Sequence, residues 1–371
     1  MSIRKILAQR IISLVLCAMP FVLLAQAKWN LLPDKPGKWI YSYHNEPYGP
    51  NAEINYKLTP VELAAIKQKM AEVAKVLHQN PEITNLMGYD VVATSSFYTF
   101  YCNNKTSPTD FPQAEISLKF YSLWGDNAGN VKRYWGEAPE VDCFINNMQP
   151  SDKQYQYIAP TDDVKDVEFN NSVKKLNELF IRPAIVKEIA PGITAYADGT
   201  IVIAEPDKPY WIPVTFGEWF DLQLAFQKHD SIIESKKPRF TEQEMHDLNI
   251  DPKLFENTPY SFLKKDKAAF PAELLLANSC TLEELIKKNP DMAIPKLSGI
   301  FQGIFFPHMR LNPDYFNKSL PKSAIQIIIL RANTSVFQGG SDCSDDDAAR
   351  TACCKFAGSV DFQALQKLLI P

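Results

Sequence analysis

Apolar residues recur at intervals of three and four between residues 63 and 77, which places them on one face of an α-helix. Thr59 and Glu62 precede most of this stripe, with Pro60 at the first helical position. In such a capping box the threonine and glutamate side chains each accept a backbone N–H that the helix leaves unpaired, so a helix is predicted to begin here. Three similar boxes predict helix starts at Thr215/Glu218, Thr241/Glu244 and Thr281/Glu284.

The second of these helices carries apolar residues over a wider arc than the first. It extends from Phe216 to about Ile233 and includes Trp219 and Phe220, so we expect it to lie inside the protein. A further helix is predicted from Val164 to Ile181, because Pro183 follows and favours a helix end.

Other segments alternate between apolar and polar residues or are rich in β-branched and aromatic residues, which is typical of strands. Between Ile193 and Ala204, Asp198 and Gly199 provide the positive φ of a tight turn and predict a hairpin. A second hairpin is predicted to turn through residues 125–130. The predicted strands are Trp39 to Tyr43, Tyr89 to Tyr101, Ala114 to Leu123, Gly192 to Ala204 and Ala324 to Arg331.

These helices and strands follow one another without a regular alternation. A doubly wound parallel sheet needs a helix between successive strands, so this order favours an α+β fold with mixed helices and mainly antiparallel strands and hairpins. Polar residues cluster around Pro150 and Pro160. If the chain has an internal domain boundary, we expect it near residues 149–161.

The first 27 residues have the three zones of a secretory signal peptide. Three basic residues precede or border an apolar run from Ile11 to Ala25, and an Ala-Gln-Ala sequence ends at Ala27. The run covers about 15 residues and contains Pro20, whereas a membrane-spanning helix needs about 20. We therefore predict cleavage after Ala27 and export of residues 28–371, without a transmembrane segment, to the periplasm or the cell exterior.

The composition of the 371 residues is that of a globular protein, with 46% hydrophobic and 22% charged residues. The formal net charge of −4 becomes −7 once the three basic residues of the signal peptide are removed. A chain without a basic excess is poorly suited to neutralise phosphates, so no nucleic-acid partner is expected.

The mature region contains an even number of cysteines, which in an exported chain predicts disulfide bonds. The candidates are Cys102, Cys143, Cys280, Cys343, Cys353 and Cys354. They are too sparse to replace a hydrophobic core, so the bonds are expected to reinforce one. The thiols also lack the paired Cys-x-x-Cys spacing of zinc sites, and we predict no metal site.

An acidic run at residues 342–347 could be taken for a calcium loop, but its spacing does not fit an EF-hand. We interpret it as a helix start in which Ser344 is the cap and the following aspartates interact with the helix dipole. A helix there would place Cys343 and Cys353 about 15 Å apart, too far for a bond. We therefore predict that at least one of Cys343, Cys353 and Cys354 bonds to Cys102, Cys143 or Cys280.

Three aromatic residues near the mature N-terminus alternate along one predicted strand, so their rings project from the same face. These residues are Trp39, Tyr41 and Tyr43. A row of flat rings can stack on sugars or contact a protein partner. The structural alternative is a strand whose rings pack into the core.

The sequence contains no Gly-x-Ser-x-Gly elbow, phosphate loop or dinucleotide fingerprint, and we assign no cofactor. The aromatic density without such motifs favours a non-catalytic binding module for a carbohydrate or protein partner, with the three rings as its contact face. Two alternatives remain. One is a secreted hydrolase of carbohydrate or peptide whose carboxylates come from distant segments. The other is a protein-interaction scaffold of the cell envelope.

Overall fold

The computed structural model of the chain describes residues 29–44, 58–97, 111–133, 138–147, 167–236, 258–296, 304–332, 343 and 347–369, without the side chains of residues 167–168 and 229–236. Three sequence predictions therefore lie outside the described residues. They are the signal peptide at residues 1–27, the boundary near residues 149–161 and the helix start at Thr241/Glu244.

The described residues contain thirteen strands in two sheets. In the large sheet the order is β2-β3-β4-β6-β13-β10-β9-β8, and β1 and β5 also pair with β4. The pairing is antiparallel except between β2 and β3. The small sheet has the order β11-β12-β7. The strands are β1 (Asn30–Leu31), β2 (Trp39–Tyr43), β3 (Tyr89–Phe97), β4 (Ala114–Gly125), β5 (Val131–Arg133), β6 (Glu140–Ile145), β7 (Phe180–Ile181), β8 (Ile185–Ala190), β9 (Ile193–Tyr196), β10 (Thr200–Ala204), β11 (Trp211–Pro213), β12 (His308–Leu311) and β13 (Ile327–Arg331).

Nine helices accompany these strands in the described part of the chain. They are α1 (Pro60–His78), α2 (Pro81–Thr84), α3 (Val167–Asn177), α4 (Phe216–Lys236), α5 (Pro259–Ala269), α6 (Ala272–Leu276), α7 (Leu282–Lys288), α8 (Ala348–Ser359) and α9 (Phe362–Gln366). The mixture of helices with a mostly antiparallel sheet confirms the predicted α+β fold.

One face of the large sheet is covered by α1, α2, α8 and α9. Met70 and Leu77 of α1 and Phe356 of α8 are almost completely buried there against apolar strand residues such as Leu118 and Val141. Side chains alternate between the two faces of a strand. The residues that adjoin Leu118 and Val141 in sequence therefore point to the opposite face of the sheet.

The opposite face is apolar only over its central strands and β9. Phe144, Val202 and Ile329 of the large sheet belong there to a cluster that includes Trp211 and Met309 of the small sheet. A separate helical cluster surrounds α4, where Trp219 and Phe220 are 1% and 0% exposed. The prediction that this helix lies inside the protein is therefore confirmed.

The local signals at helix and hairpin ends are mostly confirmed. Thr59 and Glu62 form both hydrogen bonds of the capping box at α1. At α4, Glu218 donates its backbone N–H to Thr215 Oγ1 at 3.1 Å. The hairpin of β9 and β10 turns at Gly199, which has a φ of +93°.

Two predicted helix boundaries need correction. The helix expected over residues 164–181 ends at Asn177, and Phe180 and Ile181 instead form β7, which pairs with β12. α7 begins after Thr281 as predicted, but the Thr281 side chain does not cap it. Its hydroxyl instead accepts the backbone N–H of Asn278 at 3.3 Å.

The prediction that Ser344 caps a helix beginning at Asp345 is wrong. α8 begins at Ala348, and Asp347 is its N-cap, accepting the N–H of Ala349 at 2.9 Å. The same carboxylate accepts a hydrogen bond from Ser122 Oγ on β4 at 2.6 Å. This contact joins the start of the helix to the sheet.

The predicted cysteine pairing is also wrong. Cys343 bonds to Cys354, with Cα atoms 5.5 Å apart, and not to a distant part of the chain. Among the described cysteines, Cys143, Cys280 and Cys353 have free thiols, while Cys102 lies outside the described residues. The late helix start is the physical reason, since Cys343 lies outside the helix and can approach Cys354. Cys343 and Cys353 do not bond to each other, as predicted.

Candidate functional site

The predicted aromatic face on β2 lies against α1. The Trp39 ring stacks on His78, with centroids 4.4 Å apart and planes 9° apart. The Tyr43 ring lies under Lys67 Nζ at 4.2 Å. Tyr41 is the most exposed of the three rings at 36%. Trp39 and Tyr43 therefore contribute to packing between a strand and a helix, and the role of the three rings in ligand binding remains a prediction.

A row of polar side chains crosses five neighbouring strands on the sheet face opposite α1 and α8. Each member is the direct cross-strand neighbour of the next. On β4 and β6 the adjacent residues Leu118 and Val141 point into the helix-covered core, which fixes the row on the other face. The members of this polar row are Thr94, Ser117, Asp142, Arg331 and Thr200, on β3, β4, β6, β13 and β10.

Charged residues flank the polar row on β4 and β6. Lys119 and Glu140 are direct cross-strand neighbours, and their side chains form a salt bridge of 3.2 Å. Ser117 Oγ donates a hydrogen bond to Glu140 Oε1 at 3.3 Å. Glu115 lies two residues before Ser117 on the same face. The row and its flanks thus bring three carboxyl groups close to two basic side chains.

Asp142 is the carboxyl group of this site whose pKa is raised most. Burial raises its pKa to about 8, and a hydrogen bond with Glu140 and the negative charges of Glu140 and Glu115 act in the same direction. Arg331, its direct neighbour on β13, opposes this rise. Asp142 therefore holds its proton at neutral pH and donates it in the hydrogen bond with Glu140.

Glu115 is 8% exposed, and burial is also the main reason that its pKa is raised. Among the described residues, none donates a hydrogen bond to its carboxylate. Asp142 Oδ1 is a fully buried atom that has no hydrogen-bond partner in the described part of the chain. Since buried polar atoms in folded proteins nearly always have partners, this unused capacity distinguishes the row from an ordinary strand surface.

An aromatic ring adjoins the polar row. The Arg331 guanidinium lies over the Phe144 ring, 4.9 Å from its centroid, and Phe144 is the direct neighbour of Glu115. The face thus combines carboxyl groups, a hydroxyl group, cations and a buried aromatic ring within three strands. Such a set can both donate hydrogen bonds to a ligand and accept them from it.

Sequence analysis did not identify this site because β6 was not among the predicted strands. The segment has the required signal, since Val141, Cys143 and Ile145 alternate with Glu140 and Asp142. Its alignment with β4 and β13 depends on pairing between residues as far apart as Cys143 and Leu330. That pairing is what places Asp142 opposite Arg331.

Within the described ranges, no group of three or more His, Cys, Asp or Glu residues is arranged to hold a metal ion. No helix in the same ranges combines the length and apolar character needed to cross a membrane.

Comparison with known proteins gives no match, whether with protein-family models, with curated proteins or with solved structures.

Proposed function

We propose that the protein is an exported binding module that holds a carbohydrate on the polar row. The observation that carries this proposal is Glu115, a carboxylate that is 8% exposed and receives no hydrogen bond from the described residues. Burial keeps this carboxylate largely away from water, so a ligand that supplies hydroxyl groups to it would stabilise its charge.

The mixture of groups supports a sugar over other small ligands. Sugar hydroxyls donate and accept hydrogen bonds at once, and the row offers an acceptor at Glu115 and a hydroxyl group at Thr94 that can both donate and accept. Basic side chains from Lys119 and Arg331 balance much of the negative charge. A purely cationic ligand would meet these two positive charges, so a ligand of low net charge fits better.

A second function, hydrolysis of a glycosidic bond, is favoured by one specific observation. Asp142 keeps its proton up to about pH 8 beside carboxyl groups, as a general acid next to a base must. In such a reaction Asp142 would protonate the leaving oxygen, and a neighbouring carboxylate would remove a proton from the attacking water. The products would be a free hemiacetal and an alcohol.

A glycan array followed by calorimetry tests the binding proposal. We expect the mature protein to bind at least one soluble glycan, and Glu115→Gln to weaken that binding about tenfold, since a hydrogen bond to a charged group is lost. Glu283→Gln is the matched control, because Glu283 lies on the surface of α7 in a salt bridge with Lys287. If Glu115→Gln and the wild type bind the glycan equally, the proposal that the glycan binds on the polar row is refuted.

An assay for new reducing ends separates the two functions. A binding module leaves the bound glycan intact, whereas a hydrolase releases reducing ends at a rate that Asp142→Asn abolishes. Release that is unchanged in Asp142→Asn would show that the polar row is not the source of hydrolysis.

A further inference from the structure

A second polar group lies where the polar row ends. Thr200, the last member of the row, and Tyr196 flank the turn of the β9–β10 hairpin, and Gly199 N–H donates to the Tyr196 carbonyl at 3.2 Å. The hydroxyl groups of Tyr196 and Tyr210 are 2.6 Å apart and share one hydrogen bond. Tyr210 also forms a side-chain hydrogen bond with Thr194. The three hydroxyl groups carry three protons and these two bonds use two of them, so one proton remains for another acceptor.

Arg182 lies just before the strand that pairs with the Tyr196 strand. Ile185, three residues later, is the direct neighbour of Tyr196, and Ala197 N–H donates to the Ala184 carbonyl at 2.8 Å. In agreement with this position, Arg182 opposes by its charge the rise in the pKa of Tyr196 and Tyr210 that burial causes. Its backbone N–H donates to the Pro307 carbonyl at 2.9 Å and holds the segment against the strand region of β12. The cation is therefore attached to a fixed part of the fold.

Arg182 lacks the acceptors that a partly buried guanidinium usually has. Its Nε atom is buried and has no hydrogen-bond partner in the described ranges, and no ion pair of Arg182 occurs among these residues. Arginine presents its N–H groups as a planar fork that fits a carboxylate with two parallel hydrogen bonds. The hydroxyl groups joined at Tyr210 add one neutral donor on the neighbouring strands.

We propose that Arg182, Tyr196 and Tyr210 form a binding site for a ligand carboxylate. Glu188 and Asp198 lie close enough to act on the tyrosines, so the local positive charge is limited. A carboxylate with one negative charge is therefore favoured over a phosphate with two.

This inference rests on the proposed function, because it names an acidic sugar as the ligand class. A sugar chain on the polar row would extend past Thr200 toward Tyr196, and a uronic acid unit there would place its carboxylate against Arg182. The hydroxyl groups of the chain would use the row, and the carboxylate would use the arginine.

Ligand-observed NMR on the mature protein tests the site with sodium acetate, sodium glucuronate and inorganic phosphate. We expect acetate and glucuronate to bind, and Arg182→Gln to weaken both about tenfold or more, as loss of a charge-assisted pair requires. Arg350→Gln is the matched control, since Arg350 is an exposed arginine on α8. Tyr210→Phe removes one hydroxyl group and provides a milder variant if Arg182→Gln does not fold, and it is expected to weaken binding severalfold.

The probes separate failure of this site from failure of the polar row. Acetate has no sugar hydroxyls and reports on Arg182 alone, whereas a neutral glycan reports on Glu115 alone. Acetate binding that is equal in the wild type, Arg182→Gln and Tyr210→Phe would overturn the carboxylate site, whatever the neutral glycan does. Tighter binding of phosphate than of acetate would overturn the assignment to a carboxylate.

Discussion

At the scale of single residues, the properties of the candidate site arise from burial of groups that water would otherwise solvate. Asp142 and Glu115 lie in a sheet face where burial raises the pKa of both carboxyl groups, although Lys119 and Arg331 are close. The burial effect exceeds the attraction of the two cations because removal of water penalises the charged form directly. The same carboxyl groups that could bind a ligand therefore destabilise the fold when they ionise.

This conflict predicts a pH dependence of stability. The folded protein keeps the Asp142 proton up to about pH 8, whereas the unfolded chain releases it near the ordinary pKa of 3.8. Unfolding between these values releases a proton, so the contribution of Asp142 to stability falls as pH rises through this window. Urea unfolding of wild type and Asp142→Asn should show a wild type that loses stability, relative to the variant, from about pH 5 to about pH 8.

The control for this experiment is Asp291→Asn, which removes an exposed carboxyl group. Asp291 follows α7 in the chain and is not a member of the polar row. Its stability should follow the wild type across the same range. If Asp142→Asn also runs parallel to the wild type, the raised pKa of Asp142 is contradicted.

The free thiols differ in reactivity for the same reason. Burial raises the pKa of Cys143 and Cys353, while Cys280 is exposed. Because the thiolate is the nucleophile, iodoacetamide should modify Cys280 in the native protein and leave the other two unmodified until the chain unfolds. Peptide mass mapping measures this, and native labelling of Cys143 at the rate of Cys280 would contradict the buried position of β6.

At the scale of elements, the strongest local signals predicted structure best. β2 has the predicted bounds, and both predicted hairpin turns occur, because turn chemistry acts within a few residues. α5 was missed because it lacks a full capping box. Thr258 is its N-cap, but Ser261 occupies the position three residues later where a capping box has glutamate. β6 was missed although its sequence alternates, because the segment is only six residues long, and β12 was missed because a strand of four residues depends on pairing with distant residues.

The β9–β10 turn allows a sharp test of local backbone requirements. Gly199 has a positive φ, and a Cβ atom there would collide with the Ala332 carbonyl oxygen. Gly129 has a similar φ of +82° with no atom within 4 Å of the same position. Chemical denaturation should show that Gly129→Ala lowers the free energy of unfolding by roughly 1 kcal/mol, because only backbone strain is added. Gly199→Ala should lower it by more, because the collision is added to the strain. Equal losses would contradict the close approach at the turn.

The disulfide gives a second prediction at this scale. Cys343 and Cys354 close a loop with a sequence separation of 11, for which chain entropy predicts roughly 3 kcal/mol of stabilisation at most. Replacing both by serine should lower the free energy of unfolding by about 2 to 3 kcal/mol. Cys280→Ser is the control and should have little effect, since Cys280 is exposed. A double variant as stable as the wild type, or a native peptide that links Cys343 to Cys353, would contradict the bond.

At the scale of the whole molecule, the candidate site exists only through the order of the strands. Thr94 and Arg331 are far apart in sequence, and each reaches the polar row because β4 and β6 lie between their strands. The sequence showed many carboxyl groups but not which of them meet, so a carboxylate site was expected only in general terms. The three aromatic residues of β2 lie on one strand, so the sequence alone showed that they share a face. Two of their rings nevertheless pack against α1.

The most direct test of the central claim is a crystal structure of the mature protein with the glycan that binds tightest on the array. The account predicts sugar hydroxyl groups within hydrogen-bond distance of Glu115, on the sheet face that carries the polar row. A glycan bound at Tyr41, or at any other place with the polar row untouched, would contradict it.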